Sequence, residues 1–136
     1  MSITKVIAEI GVNHNGSISL AKDLVDAAVE CGADFVKFQA FKADSLVTTT
    51  ASKADYQITN TRSNSSQHSM LKKLEFDEES HFKIKDYCQS KSIGFMTSPF
   101  DVEGVDLVER LSMSVLKIPS GEITNYLLLE RAAEFK

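Results

Sequence analysis

Two lysines stand inside runs that are otherwise apolar. Lys37 interrupts Phe35-Val36-Lys37-Phe38-Gln39, and Lys117 interrupts Val115-Leu116-Lys117-Ile118-Pro119-Ser120. Strands buried on both faces read as near-continuous apolar runs. An unpaired ammonium inside such a run is costly, so it must find an anion or give up its proton. Two of them near strand ends point to a pocket for a small, strongly anionic molecule. Lys37 and Gln39 lie two apart, so a strand sends both to the face opposite Val36 and Phe38. One such lysine is equally well explained by a sheet edge or by pairing with a carboxylate such as Glu9. Two of them, with Ser98 and Ser120 beside the strand ends, favour the anion pocket.

Glu9 and Glu122 fall at the ends of two strand-like runs. They have the chemistry of an acid, a base or a holder of sugar hydroxyls; the plainer reading pairs each with a lysine. His14 lies in a loop, where a lone histidine is more often neither ligand nor proton carrier. His68 and His81 fall on helical patterns and read as structural. Ser98 and Ser120 have no evident base beside them, so anion binding suits them better than nucleophilic catalysis.

Four runs have to position these residues: Val6–Ile10, Phe35–Gln39, Ile93–Ser98 and Val115–Ser120. They alternate with helical patterns, the signature of parallel βα units. Ser17 or Ser19 caps the first helix, whose stripe is Leu20, Ala21, Leu24, Val25, Ala28 and Cys31, with Gly32 at its end. The stretch from Phe41 to Gln67 has no sustained periodicity and reads as an elaborated active-site loop, followed by a short helix around Gln67–Lys73. Asp77 caps a helix burying His81, Ile84 and Cys88. Asp101 caps another that buries Val105, Val108 and Leu111, and a last helix from about Thr124 carries Leu128, Leu129 and Ala132.

The loop Gly11-Val12-Asn13-His14-Asn15-Gly16 lacks the GxGxxG spacing of a dinucleotide fold. Polar residues at every strand's C-terminal end instead fit half of a barrel, whose active sites lie at that end. The fold class expected is α/β, the N-terminal half, about four βα units, of a (β/α)8 TIM-type barrel, with residues 1–136 as one partial domain. A closed barrel of this type takes about 250 residues.

Composition excludes several classes. The net charge of −4 argues against a nucleic-acid surface. No apolar run approaches the roughly 20 residues that span a bilayer, and no signal-peptide core is evident. Cys31 and Cys88 lack metal-ligand spacing and read as reduced, buried thiols of a cytoplasmic protein.

Four co-linear motifs resemble the sialic acid synthases, a family that includes N-acetylneuraminate, legionaminate and pseudaminate synthases and spore-coat polysaccharide proteins. They are Ile7–Gly16, Val36–Gln39, Thr97–Asp101 and Lys117–Asn125. The resemblance implies a transferase that condenses phosphoenolpyruvate with an N-acyl amino sugar such as N-acetylmannosamine, giving a nine-carbon 2-keto sugar acid and phosphate. Carried over by position, Lys37, Ser98, Lys117 and Ser120 hold phosphoenolpyruvate. Glu9 and Gln39 meet the sugar, Glu122 handles the water added at C2, and Phe100 borders the N-acyl pocket. Where the family has Ser-Thr before Pro-Phe, this chain has Thr97-Ser98, which keeps a hydroxyl there.

The family also implies a catalytic Mn²⁺ or Mg²⁺, whose histidine ligands lie in a C-terminal half that this chain lacks, together with an antifreeze-like domain. It implies a homodimer in which an arginine reaches across to the sugar. The isolated chain is therefore expected to be a half-barrel without full activity, with Leu127, Leu128 and Phe135 left open to self-association. Two other readings stay open: a Schiff-base aldolase using Lys37 or Lys117, and a non-catalytic half-barrel that binds anions.

Overall fold

Alternation of apolar and polar residues builds the sheet. In the computed structural model, which describes residues 4–48 and 66–135, β1 (Ile7–Gly11), β2 (Phe35–Ala40) and β3 (Gly94–Pro99) pair in parallel in the order β1-β2-β3. Glu9 is paired with Lys37, Lys37 with Met96 and Gln39 with Ser98. Partners in a ladder share a face, so these five side chains line one side of the sheet. Val36, Phe38 and Ala40 point to the other side and are buried.

Helices cover that second side. Ser17 caps α1 (Ile18–Glu30) by accepting the Leu20 N–H at 3.2 Å, and Ala21, Val25 and Ala28 form its buried stripe. They pack with Val36 and Phe38 against Ile84 and Cys88 of the helix Glu78–Ser90 (α4). Burying a side chain such as Ile84 or Phe38 contributes roughly 1.5–3 kcal/mol. The remaining described helices are α2 (Ala43–Leu46), α3 (Gln67–Leu74), α4 itself (Glu78–Ser90), α5 (Val102–Arg110) and α6 (Tyr126–Ala133). Asp77 caps α4 through the Ser80 N–H at 2.8 Å, and Asp101 caps α5 through the Gly104 N–H at 2.6 Å. Both are local side-chain-to-backbone bonds, which explains why the sequence announces them.

Three expectations are corrected. Val115–Ser120 forms no ladder with β3: Leu116 packs against the cluster of Met96, Leu107, Val108 and Leu111, but Val115 is 48% exposed. Among the described residues no further strand lies beyond this run, Pro119 has no N–H to donate, and a 3₁₀ turn starts at Ser120. Among the described residues the sheet therefore has three strands, not four. Cys31 is exposed, because it is the C-cap of α1 and lies past its buried stripe. Leu128 is fully buried, and Phe135 packs against the second cluster, so of the three apolar residues expected to be open only Leu127 is.

The aperiodic stretch after β2 contains α2, a helix of one turn that its sequence did not signal. The part of that stretch from 49 to 65 lies outside the described residues. No helix among those described is long and apolar enough to cross a membrane.

Candidate active site

The polar face of the sheet gathers the first half of the candidate residues. Lys37 and Glu9 form an ion pair, with the lysine side chain 13% exposed and the glutamate 50% exposed. The plainer expectation for Lys37 is thus met: it has a carboxylate partner. Gly11 follows at a register shift in β1, and a Cβ built there would lie 3.3 Å from Glu9 Oε1 and 3.4 Å from Gln39 Nε2. The carboxylate and the amide therefore flank the same point of backbone. Next to Gln39 in register, the Ser98 Oγ is buried and has no hydrogen-bond partner among the described residues. A buried hydroxyl without a partner costs about 1–3 kcal/mol, so its position invites an acceptor or donor from outside the chain.

The second half of the candidates sits elsewhere in the chain's bonding pattern. Lys117 is half-buried on the run that fails to join the sheet, and Ser120 is exposed at the start of the 3₁₀ turn (Ser120–Glu122). Glu122 Oε2 accepts from Asn125 Nδ2 at 2.8 Å, while Asn125 Oδ1 caps α6 through the Leu128 N–H. The hydrogen bonds and ion pairs of the described residues join none of these three to Glu9, Lys37 or Gln39. Phe100 donates its N–H to the Ala40 carbonyl at 3.0 Å and meets Phe41 edge-on at 6.4 Å between centroids.

Two buried histidines lie on the other side of the sheet. His14 Nδ1 accepts the Gly16 N–H at 3.1 Å, and its ring stacks at 3.7 Å from Phe76. Burial, and secondarily His81, bring its pKa down to about 4. His81 sits 2.9 Å from the Asp77 carbonyl and 3.4 Å from Thr97 Oγ1, and burial lowers its pKa as well. Sequence reasoning did not find the His14–Phe76 contact. Phe76 stands just before the N-cap of α4, a position whose apolar residue commonly packs on the fourth residue of the same helix, here His81 at 6.0 Å between ring centroids; that pattern does not reach His14.

These residues do not fit a divalent metal. Both histidines have ring nitrogens committed to the protein itself, and no group of three or more His, Cys, Asp or Glu is arranged to hold one among the described residues. Cys88 offers no nucleophile, because burial pushes its thiol up to about 12. A cavity of about 110 Å³ opens on the helical side, lined among others by Lys42, Phe76, Glu78, His81, Asp101 and Arg110. None of the candidate residues lines it, and Arg110 is held bidentately by Glu78 at 2.8 and 2.9 Å.

Among the described residues, then, the chain is an α/β protein whose parallel sheet presents an ammonium, a carboxylate, an amide and an unpartnered hydroxyl on one face, with helices on the other. The match to known proteins agrees: the NeuB family profile covers residues 24–136. The chain belongs to the NeuB family. It is 47% identical over 134 residues to the N,N'-diacetyllegionaminic acid synthase of Campylobacter jejuni, covering 98% of this chain and 40% of that protein. The synthase of the same name from Legionella pneumophila is 51% identical over 131 residues, covering 96% of this chain and 37% of the relative. The solved N-acetylneuraminic acid synthetase of Leptospira borgpetersenii superposes with a TM-score of 0.78 at 30% identity, over 98% of this chain and 42% of the other. This chain thus spans about two fifths of the length of the relatives it matches.

Proposed function

We propose that this chain is the N-terminal half of the (β/α)8 barrel of a sugar acid synthase, and that its polar sheet face binds phosphoenolpyruvate. In this reading Lys37 and Ser98, joined by Lys117 and Ser120, hold the phosphate and carboxylate of that substrate. Glu9 and Gln39 meet an N-acyl amino sugar, and Phe100 borders its acyl group. C3 of the enol acid forms the new bond to the aldehyde carbon, whose oxygen takes up a proton. Water, steered by Glu122, adds at C2, and the C2–O bond breaks to release phosphate. The 2-keto sugar acid remains. No set of the described residues would hold a divalent metal; one bound by other groups would polarise the aldehyde.

One observation carries the reading: Lys37, Gln39 and the Ser98 hydroxyl, which has no partner among the described residues, share one face at the C-terminal end of the sheet. Barrel enzymes assemble their sites at that end. Calorimetric titration of the chain with phosphoenolpyruvate tests it. The expected result is metal-independent binding with Kd on the order of 1 mM, without turnover. No heat and no chemical-shift change at millimolar ligand would refute it. In the longer relatives the same reading includes a homodimer.

A further inference from the structure

We propose that His14 is a positioning residue for this site: its ring fixes the loop after β1, and with it the point of backbone at Gly11 that lies beside both the Glu9 carboxylate and the Gln39 amide. The proposal rests on the reading of that sheet face as the substrate site, and phosphoenolpyruvate affinity reports on it because Glu9 is ion-paired to Lys37, the residue that holds the anion in that reading.

The loop leaves the sheet at Gly11 and reaches α1 through three successive turns. Their bonds run from Asn13 N–H to the Ile10 carbonyl at 3.0 Å, from Asn15 N–H to Val12 at 3.0 Å and from Ser17 N–H to His14 at 2.8 Å. Gly11, Asn15 and Gly16 have positive φ, so this is a shape few alternatives relax into. Asn13 and Asn15 face solvent, whereas His14 is 1% exposed. Its Nδ1 accepts the Gly16 N–H, which leaves the proton of the neutral ring on Nε2. The ring stacks on Phe76, and Gly16 abuts α3, where an added Cβ would lie 2.4 Å from the Lys73 carbonyl oxygen.

The loop is therefore anchored at its far end by His14 and Gly16, while its near end, at Gly11, lies beside Glu9 Oε1 and Gln39 Nε2. A residue that only filled space could be phenylalanine. What sets the imidazole apart is the acceptor at Nδ1, and that is the feature to test.

The test uses the ¹⁵N-labelled chain with two variants. His14→Phe keeps the stacking ring and removes the acceptor; His14→Asn returns an acceptor near the Nδ1 position and removes the ring. Three quantities are read: the resonances of the Gly11 amide and Gln39 side-chain amide, the phosphoenolpyruvate affinity, and the urea midpoint. His14→Phe is expected to move both resonances and to weaken binding by up to about tenfold, the effect of one lost hydrogen bond. His14→Asn is expected to recover most of the affinity even with a lower urea midpoint. Unmoved Gly11 and Gln39 resonances in His14→Phe, or affinities that simply follow the urea midpoints, would overturn the proposal. So would an Nδ1–H tautomer in the unaltered chain, a readout that needs no variant to fold. If the unaltered chain binds no phosphoenolpyruvate, the functional reading fails, while the two resonances still decide whether His14 sets the Glu9–Gln39 geometry.

Discussion

Glu9 and Lys37 occupy matched positions on β1 and β2 and are ion-paired across them. The cation on the polar sheet face is thus already neutralised by a half-exposed carboxylate. Such a pair contributes only about 0–1 kcal/mol to stability, so an incoming anion can compete for the lysine. Glu9→Gln should tighten inorganic phosphate or phosphoenolpyruvate binding by about threefold to tenfold, the worth of one removed like charge near the anion. Calorimetry on the two proteins measures it. An unchanged or weaker affinity in the glutamine variant would show that Glu9 does not compete.

The buried histidines make the fold sensitive to mild acid. His14 titrates near 4 in the folded chain, below the ordinary 6.5, because burial and the adjacent His81 disfavour its charged form. Protons then bind the unfolded chain more readily. Stability is fully present above about pH 6.5 and declines as pH falls toward 4. His14 alone should cost between about 1 and 2 kcal/mol at pH 5 relative to pH 7, with His81 acting in the same direction. Urea midpoints at the two pH values report the loss, and His14→Phe should flatten the difference.

Gly16 and Gly32 separate two costs of a left-handed backbone. Both have φ near +75°, at 75 and 74. A Cβ at Gly16 meets the Lys73 carbonyl oxygen at 2.4 Å, whereas one at Gly32 meets nothing within 4 Å. Gly32→Ala should cost about 1–2 kcal/mol, the conformational term alone. Gly16→Ala adds a clash with backbone and should cost a further 1–3 kcal/mol or so. Thermal or urea unfolding of both variants checks the order, and equal losses would mean that α3 is not docked on this loop.

The legible parts of this chain are those decided by neighbours in sequence. Val36-Lys37-Phe38-Gln39 shows by alternation which side chains share a face, and Ser17, Asp77 and Asp101 cap the helices that directly follow them. The fourth strand was not legible, because a strand exists only with a ladder partner and Val115–Ser120 has the composition without the pairing. The docking of His14 on Phe76 joins residues far apart in the chain, and no periodicity encodes it. Cys31 follows the helical spacing but falls one step beyond the helix. Lys37 and Lys117 read alike in sequence, yet one is built into the sheet and the other lies on an unpaired run.

The synthase reading involves no imine, so it predicts the outcome of a trapping experiment. Borohydride added to the chain with pyruvate should leave its mass unchanged. A pyruvyl adduct on Lys37 or Lys117, located by peptide mass mapping, would establish the Schiff-base alternative instead.

The most direct measurement is phosphoenolpyruvate titration of the chain beside Lys37→Met and Lys117→Met, each shown to be folded by its amide spectrum. The account predicts that each substitution weakens binding by about tenfold or more, the loss of one charge-assisted contact. Binding by either variant with the affinity of the unaltered chain would contradict the claim that both lysines hold the anion.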